Sequence, residues 1–324
     1  MVMSNFCKSF QFTPHRDIPF RDVEVLDRVR LTKEEDYLAL NETRPNWRLE
    51  IVEDEFIWYA WLTDMFKRIK DSDEKDEKCV MILPNPAGIY KRVAYMCNKM
   101  NVSCRNLIIF TQDEWASEEG IIAPLDYPAG FTNAFFRFFY NELRPELRPE
   151  PENIHYPTNE NIASYSELIQ EAGEADIIYS ACGWSGHASF IDAVPQFGVK
   201  GEETPPVGEW IKMGARISDL HLLTLAQNSL HASFGMCGDV ALVPPRAATI
   251  GPREFVNAKH IFEFHNFLIG NTDITWEKLV SRLVCFGPVT PLVPDSVIQL
   301  CDAEVYISKL FAEPIHYDGD RQYR

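Results

Sequence analysis

Short apolar runs separated by segments of helical period constrain this chain more than any other feature. Cys79–Pro84, Leu107–Thr111 and Ala175–Cys182 are nearly unbroken apolar stretches of strand length. Between and around them, Glu53–Lys70, Ile89–Met100, Phe131–Leu143 and Asn161–Glu174 carry apolar residues at helical spacing. A continuous apolar strand is one covered on both faces, and strands alternating with helices give a parallel sheet. The expected fold is α/β: a doubly wound, mostly parallel, Rossmann-like sheet with helices on both faces. Further strands are expected at Arg48–Val52, Ile154–Tyr156, Leu220–Leu225, His260–His265 and Glu304–Ile307, with helices at Arg253–Lys259 and Thr275–Cys285. Residues 71–78, charged at every position but Ser72, read as a solvated turn. Residues 1–47, punctuated by Pro14, Pro19 and Pro45, read as an irregular N-terminal extension packed on a main domain of residues 48–324.

The 324 residues are 46% hydrophobic, enough for a sizeable core. Asp and Glu exceed Lys and Arg by 48 to 31, giving a net charge of −17. A field of that sign repels phosphate backbones and anionic lipid, so nucleic-acid and membrane-surface partners are not expected. No apolar run approaches the roughly 20 residues of a membrane span, and Met1–Arg21 lacks a signal-peptide core, so the expected location is cytoplasmic. The eight cysteines are scattered without a Cys-x-x-Cys pair, which points to buried free thiols rather than disulfides or a zinc knuckle. Gly-x-Gly-x-x-Gly, a Walker A loop and a Gly-x-Ser-x-Gly elbow are absent. His260 and His265 stand five apart and would face opposite sides of a strand.

Ligands in open α/β sheets bind beyond the C-terminal strand ends. Three such loops carry chemistry: Pro84–Gly88, Gln112–Trp115 and Gly183–His187. Asp113 after a buried strand suits a general base or a helix cap. His187 after Gly-x-x-Gly suits an acid/base group or a histidine bonded at a helix start. Together an Asp and a His fit proton abstraction next to a carbonyl. The crevice is expected among the loops 84–90, 111–115 and 183–192.

These segments resemble, in order and spacing, the glucosamine-6-phosphate deaminase (isomerase) family, whose fold is shared with 6-phosphogluconolactonases. The resemblance spans about residues 48–312. Leu107–Trp115 is similar to the family's apolar strand followed by Asp-Glu-Tyr, Pro151–His155 to its P-x-E-N-I, Gly183–Phe190 to its G-x-D-G-H-x-A-F, and Pro245–Gly251 to its P-x-x-A-x-T-x-G. The resemblance implies that Asp113, beside Glu114, takes the C2 proton and that His187 assists ring opening, with Asp192 where the family has a glutamate. The reaction turns an amino-sugar phosphate into a keto-sugar phosphate and ammonia, and implies no metal or redox cofactor.

Departures accompany the match. Ser185 replaces the aspartate of D-G-H. The phosphate loop is shortened to Asn85-Pro86-Ala87-Gly88, and Pro86 removes an N–H donor. The family's phosphate arginine and lysine have no counterpart near Asn228–Phe234 and Asn266–Gly270. The expected ligand site uses Asn85, Ala87, Gly88, Gly183, Ser185 and Gly186. The partner is a sugar or sugar phosphate, and a homo-oligomer is compatible with the family. The leading reading is a divergent deaminase/isomerase with a degraded phosphate site. The alternatives are a non-catalytic sugar-binding or regulatory protein on this fold and a 6-phosphogluconolactonase-like hydrolase.

Overall fold

The structure is a computed structural model that describes residues 12–84, 88–269 and 274–315. In chain order the elements are α1 (Val23–Arg30), α2 (Glu34–Thr43), β1 (Trp47–Val52), α3 (Asp54–Lys75), β2 (Cys79–Leu83), α4 (Ile89–Met100), β3 (Leu107–Thr111) and β4 (Asp113–Ala116). Then come α5 (Phe131–Phe138), β5 (Ile154–His155), α6 (Tyr165–Glu171), β6 (Ile177–Ser180), α7 (Val207–Trp210), β7 (Arg216–Asp219) and α8 (Leu222–Asn228). The remainder is β8 (Arg246–Thr249), α9 (Pro252–Asn257), β9 (Ile261–His265), α10 (Glu277–Phe286) and β10 (Ala303–Ser308).

Seven strands form one sheet in the order β1-β10-β9-β6-β2-β3-β5, with every pairing parallel. This is the doubly wound sheet expected from the sequence. Strand side chains alternate between its faces. Val80, Ile82 and Ile178 join the core on one side with Phe255 of α9 and Val284 of α10. Met81, Leu83 and Tyr179 join the core on the other with Trp61 of α3, Val93 of α4 and Phe135 of α5. The chain runs outward from β2 through β3 to β5, then returns to place β6 on the other side of β2. The strand order therefore reverses between β2 and β6, where such sheets open a crevice. A small antiparallel sheet, β4-β8-β7, stands beyond the end of β3.

Four local expectations are corrected. The described part of the N-terminal segment, from residue 12, is not irregular but carries α1 and α2. Asp22 Oδ1 caps α1 by accepting from the amides of Glu24 and Val25, and Val23, Leu26 and Val29 bury one face. Asn41 of α2 clamps the backbone N–H and C=O of Leu49 in β1. The charged run at 71–78 is not a turn until its end: α3 continues to Lys75, with Lys70–Glu74 and Asp71–Lys75 paired one turn apart. The strand expected at Leu220–Leu225 is the start of α8, whose apolar run suits either period. The strand lies just before it, at Arg216–Asp219. β8, inside the Pro245–Gly251 motif, went unread as a strand. Among the described residues no helix is long and apolar enough to cross a membrane.

Candidate active site

A cavity of about 380 Å³ opens at the C-terminal ends of β2, β3, β6 and β9 and includes Asp113, Gly183 and His187 in its lining. The loop after β3 delivers Asp113. Gln112 carries the chain out of the large sheet, its amide donating to the Tyr179 carbonyl at 2.8 Å, and its carbonyl accepts from Ile250 N. Asp113 pairs with Thr249 of β8 in the small sheet. The carboxyl is buried, 5% exposed as a residue. Oδ2 accepts from Ser189 Oγ at 2.8 Å, and Oδ1 has no hydrogen-bond partner. Burial raises the Asp113 pKa to about 7 against the lowering effect of Ser189, with Glu114 pushing it further up. A carboxylate at that value is a competent base near neutrality.

The loop after β6 delivers His187. Gly183 N bonds the His187 carbonyl at 2.9 Å, and a Cβ on Gly183 would lie 2.0 Å from His187 Nε2, so only glycine permits the ring its place. Gly186 turns the loop with φ +85°. His187 Nδ1 lies 2.9 Å from both Ser185 Oγ and Thr224 Oγ1. Each hydroxyl donates its own proton to Asp192 Oδ1, at 2.6 and 3.0 Å. Both oxygens must then accept from the ring, which places the proton on Nδ1 and leaves Nε2 with its lone pair. Asp192 Oδ1 stands 3.7 Å from Nδ1, beyond direct bonding, so two hydroxyls bridge the gap. Burial lowers the His187 pKa, opposed by Asp192 and reinforced by His221.

The remaining expected site residues fall elsewhere. Glu114 does not line the cavity. Its carboxylate accepts from the amides of Trp115, Phe131 and Thr132, so it anchors the N-terminus of α5. Ser185 and Gly186 also lie off the lining: Ser185 meets the ring of His187 at Nδ1, and Gly186 faces Val293. Gly88 borders a separate shallow groove with Lys91, Arg92 and Tyr95. Asn85 and Ala87 lie outside the described residues.

Sequence reasoning passed over Thr224 and Gln227, whose side chains hold the histidine loop from α8; Gln227 Oε1 accepts from Trp184 N at 2.6 Å. The signal was present: buried polar residues three apart on a short helix. It also missed the aromatic wall. Trp58 and Trp61 stack with centroids 6.1 Å apart, Trp61 meets Phe264 at 4.9 Å, and His231 stacks on Phe267 at 6.3 Å. Trp61 also belongs to the buried face of α3, with Ile57, Met65 and Ile69.

No family model matches the chain. Glucosamine-6-phosphate deaminases of Lachnoclostridium phytofermentans and Clostridium acetobutylicum are each 25% identical to it, over 222 and 235 residues. Those alignments cover 66% and 70% of this chain, and 79% and 83% of the relatives. A solved monomeric glucosamine-6-phosphate deaminase superposes with a TM-score of 0.64 at 18% identity, over 82% of this chain and 98% of its own. The 6-phosphogluconolactonase of Thermotoga maritima superposes at 0.54 and 12% identity, over 81% and 99%. In sequence the chain is similar to glucosamine-6-phosphate deaminases, and its fold is the one these share with 6-phosphogluconolactonases.

Proposed function

We propose that the chain is an amino-sugar isomerase and deaminase in which Asp113 removes the proton from substrate C2 and His187 moves protons on the sugar oxygens. The observation that carries this reading is the state of Asp113. It is a buried carboxyl with one partnered and one unpartnered oxygen, in a cavity it shares with His187. The bare Nε2 accepts the proton of the anomeric hydroxyl and returns it to the ring oxygen, which opens the ring to the aldehyde. Asp113 then takes the C2 proton as O1 gains one, and returns it to C1 of the enolamine; the proton gained by O1 is balanced by the one the amino nitrogen loses on becoming the imine. The C2 imine that results adds water and releases ammonia, leaving the ketose. Asp192 keeps the developing imidazolium favourable through Ser185 and Thr224, without a carboxylate in contact with the ring.

The sugar in this reading carries no 6-phosphate. The described lining contains no Lys or Arg. Residues 85–87 and 270–273 contain none either. What supports a neutral sugar is the wall of Trp58, Trp61, Phe264 and Phe267, whose faces suit the C–H surface of a pyranose.

The test is proton NMR in deuterated buffer with paired amino sugars and ketoses, with and without 6-phosphate. C2 deuterium uptake with the neutral sugars, reduced about 100-fold or more in Asp113→Asn, is the expected result. Uptake that survives in Asp113→Asn sinks the role of Asp113. Saturable binding with no uptake from any sugar selects a non-catalytic binding protein instead.

A further inference from the structure

At and behind the cavity floor, to which Cys182 belongs, lies a second set of ionisable groups that the proposed reaction does not use. Glu263 and His265 stand two apart on β9, so both point to the face covered by α10. Cys182 follows β6, and Asp295 sits in the helical turn Pro294–Leu300. Each of these four residues is 0% exposed. The Cys182 sulfur, a His265 ring nitrogen and an Asp295 carboxylate oxygen lie within 4.8 Å of one another. His265 Nδ1 is taken by Ser281 Oγ at 2.7 Å. Nε2 therefore faces the cluster, 3.3 Å from Glu263 Oε1 and 4.0 Å from Asp295 Oδ2.

The Cys182 thiol donates to the buried Glu277 Oε1 at 3.1 Å, and the other groups are not satisfied by one another. His265 Nε2, both oxygens of Glu263 and both oxygens of Asp295 are buried without a hydrogen-bond partner. Native proteins rarely leave such atoms orphaned, and a bound ion or ordered water is what satisfies them. Among the described residues no Lys or Arg pairs with Glu263 or Asp295; their ion-pair contacts are to His265.

We propose that Cys182, His265 and Asp295 form a buried three-residue site for one divalent cation of the zinc class, with Glu263 beside the histidine. One sulfur, one imidazole nitrogen and one carboxylate oxygen make a borderline-soft set that leaves a fourth position for water, whereas magnesium and calcium take oxygen alone. The Ser281 bond to Nδ1 is the outer contact that aims a ligating histidine. Binding displaces the protons held by the thiol and the carboxyls, which pass to solvent. The ion then ties the histidine loop to the sheet from two sides. Cys182 immediately precedes Gly183, and Asp295 N donates to the Gly186 carbonyl at 2.8 Å. The proposal stands on these residues and is independent of the reaction assigned to Asp113.

The test is metal analysis of the purified full chain, followed by replacement of the bound ion with cobalt(II). One equivalent of zinc per chain is expected, with tetrahedral cobalt bands in the visible and a thiolate-to-cobalt band in the near ultraviolet. The near-ultraviolet band is lost in Cys182→Ser and kept in Cys79→Ser, a buried thiol on β2. Ser281→Ala, which removes no ligand, weakens zinc binding by about 10–100-fold and covers the case in which Cys182→Ser does not fold. Substoichiometric metal with no thermal shift on adding zinc or chelator overturns the proposal. So does a cobalt spectrum that Cys182→Ser leaves unchanged.

Discussion

Ser189 donates its hydroxyl to Asp113 Oδ2 at 2.8 Å from a backbone held at φ +51°, a conformation that non-glycine residues seldom adopt. Thr249 Oγ1 holds the same Ser189 hydroxyl at 2.9 Å and accepts from Phe190 N at 3.1 Å. The strained turn is fastened from β8, and what it supplies is one hydrogen bond to the carboxylate. That bond favours the ionised form and opposes burial. Ser189→Ala removes it, so the acid limb of the kcat/KM profile moves to higher pH. A profile unchanged in position would show that the bond does not set the base.

Burial of Asp113 has a stability consequence of definite sign. The carboxyl titrates near 3.8 in the unfolded chain and near 7 in the folded one. Between those values the folded chain keeps a proton that the unfolded chain has lost, so stability falls as pH rises from about 4 to about 7. Above 7 the cost is complete, roughly 4 kcal/mol as an upper bound. Asp113→Asn keeps the acceptor for Ser189 and removes the titration. Its Tm at pH 8 is expected to exceed that of the native chain by a few degrees, with the gap closing near pH 4. Equal gaps at both pH values would count against a raised Asp113.

The two hydroxyls between His187 and Asp192 decide the tautomer. In the native chain, nitrogen NMR of the ring should report a proton on Nδ1. In the double variant Ser185→Ala, Thr224→Val that proton loses both acceptors, and the population shifts toward Nε2–H. With Nε2 protonated the ring no longer accepts from the sugar. The expected loss is about 10-fold or more in kcat with a smaller change in KM.

Glu114 should behave as a structural anchor. Glu114→Ala strips the acceptor from three buried amides, those of Trp115, Phe131 and Thr132. The expected cost is roughly 2–4 kcal/mol of stability, read from urea unfolding. The pH dependence of the remaining activity should keep the shape set by Asp113. If kcat fell as far as in Asp113→Asn with stability intact, Glu114 would belong to the reaction.

The sequence alone determined the layered α/β plan, because buried parallel strands must be continuously apolar and their helices must carry a 3.6-residue stripe. It also placed Asp113 and His187 at strand ends, since β3 and β6 are legible from Leu107–Thr111 and Ala175–Cys182. Local ambiguity cost the rest: Leu220–Leu225 fits either period, and 71–75 extends α3 with charge pairs one turn apart. Tertiary structure alone decided which way each polar side chain faces. It turned Glu114 onto the amides of α5 and brought Thr224 from α8 to the ring of His187. It also gathered Cys182, His265 and Asp295 from three separate segments. Periodicity records which face of an element is buried. Which polar groups meet inside depends on contacts between residues tens to a hundred positions apart, and those exist only once the sheet has formed.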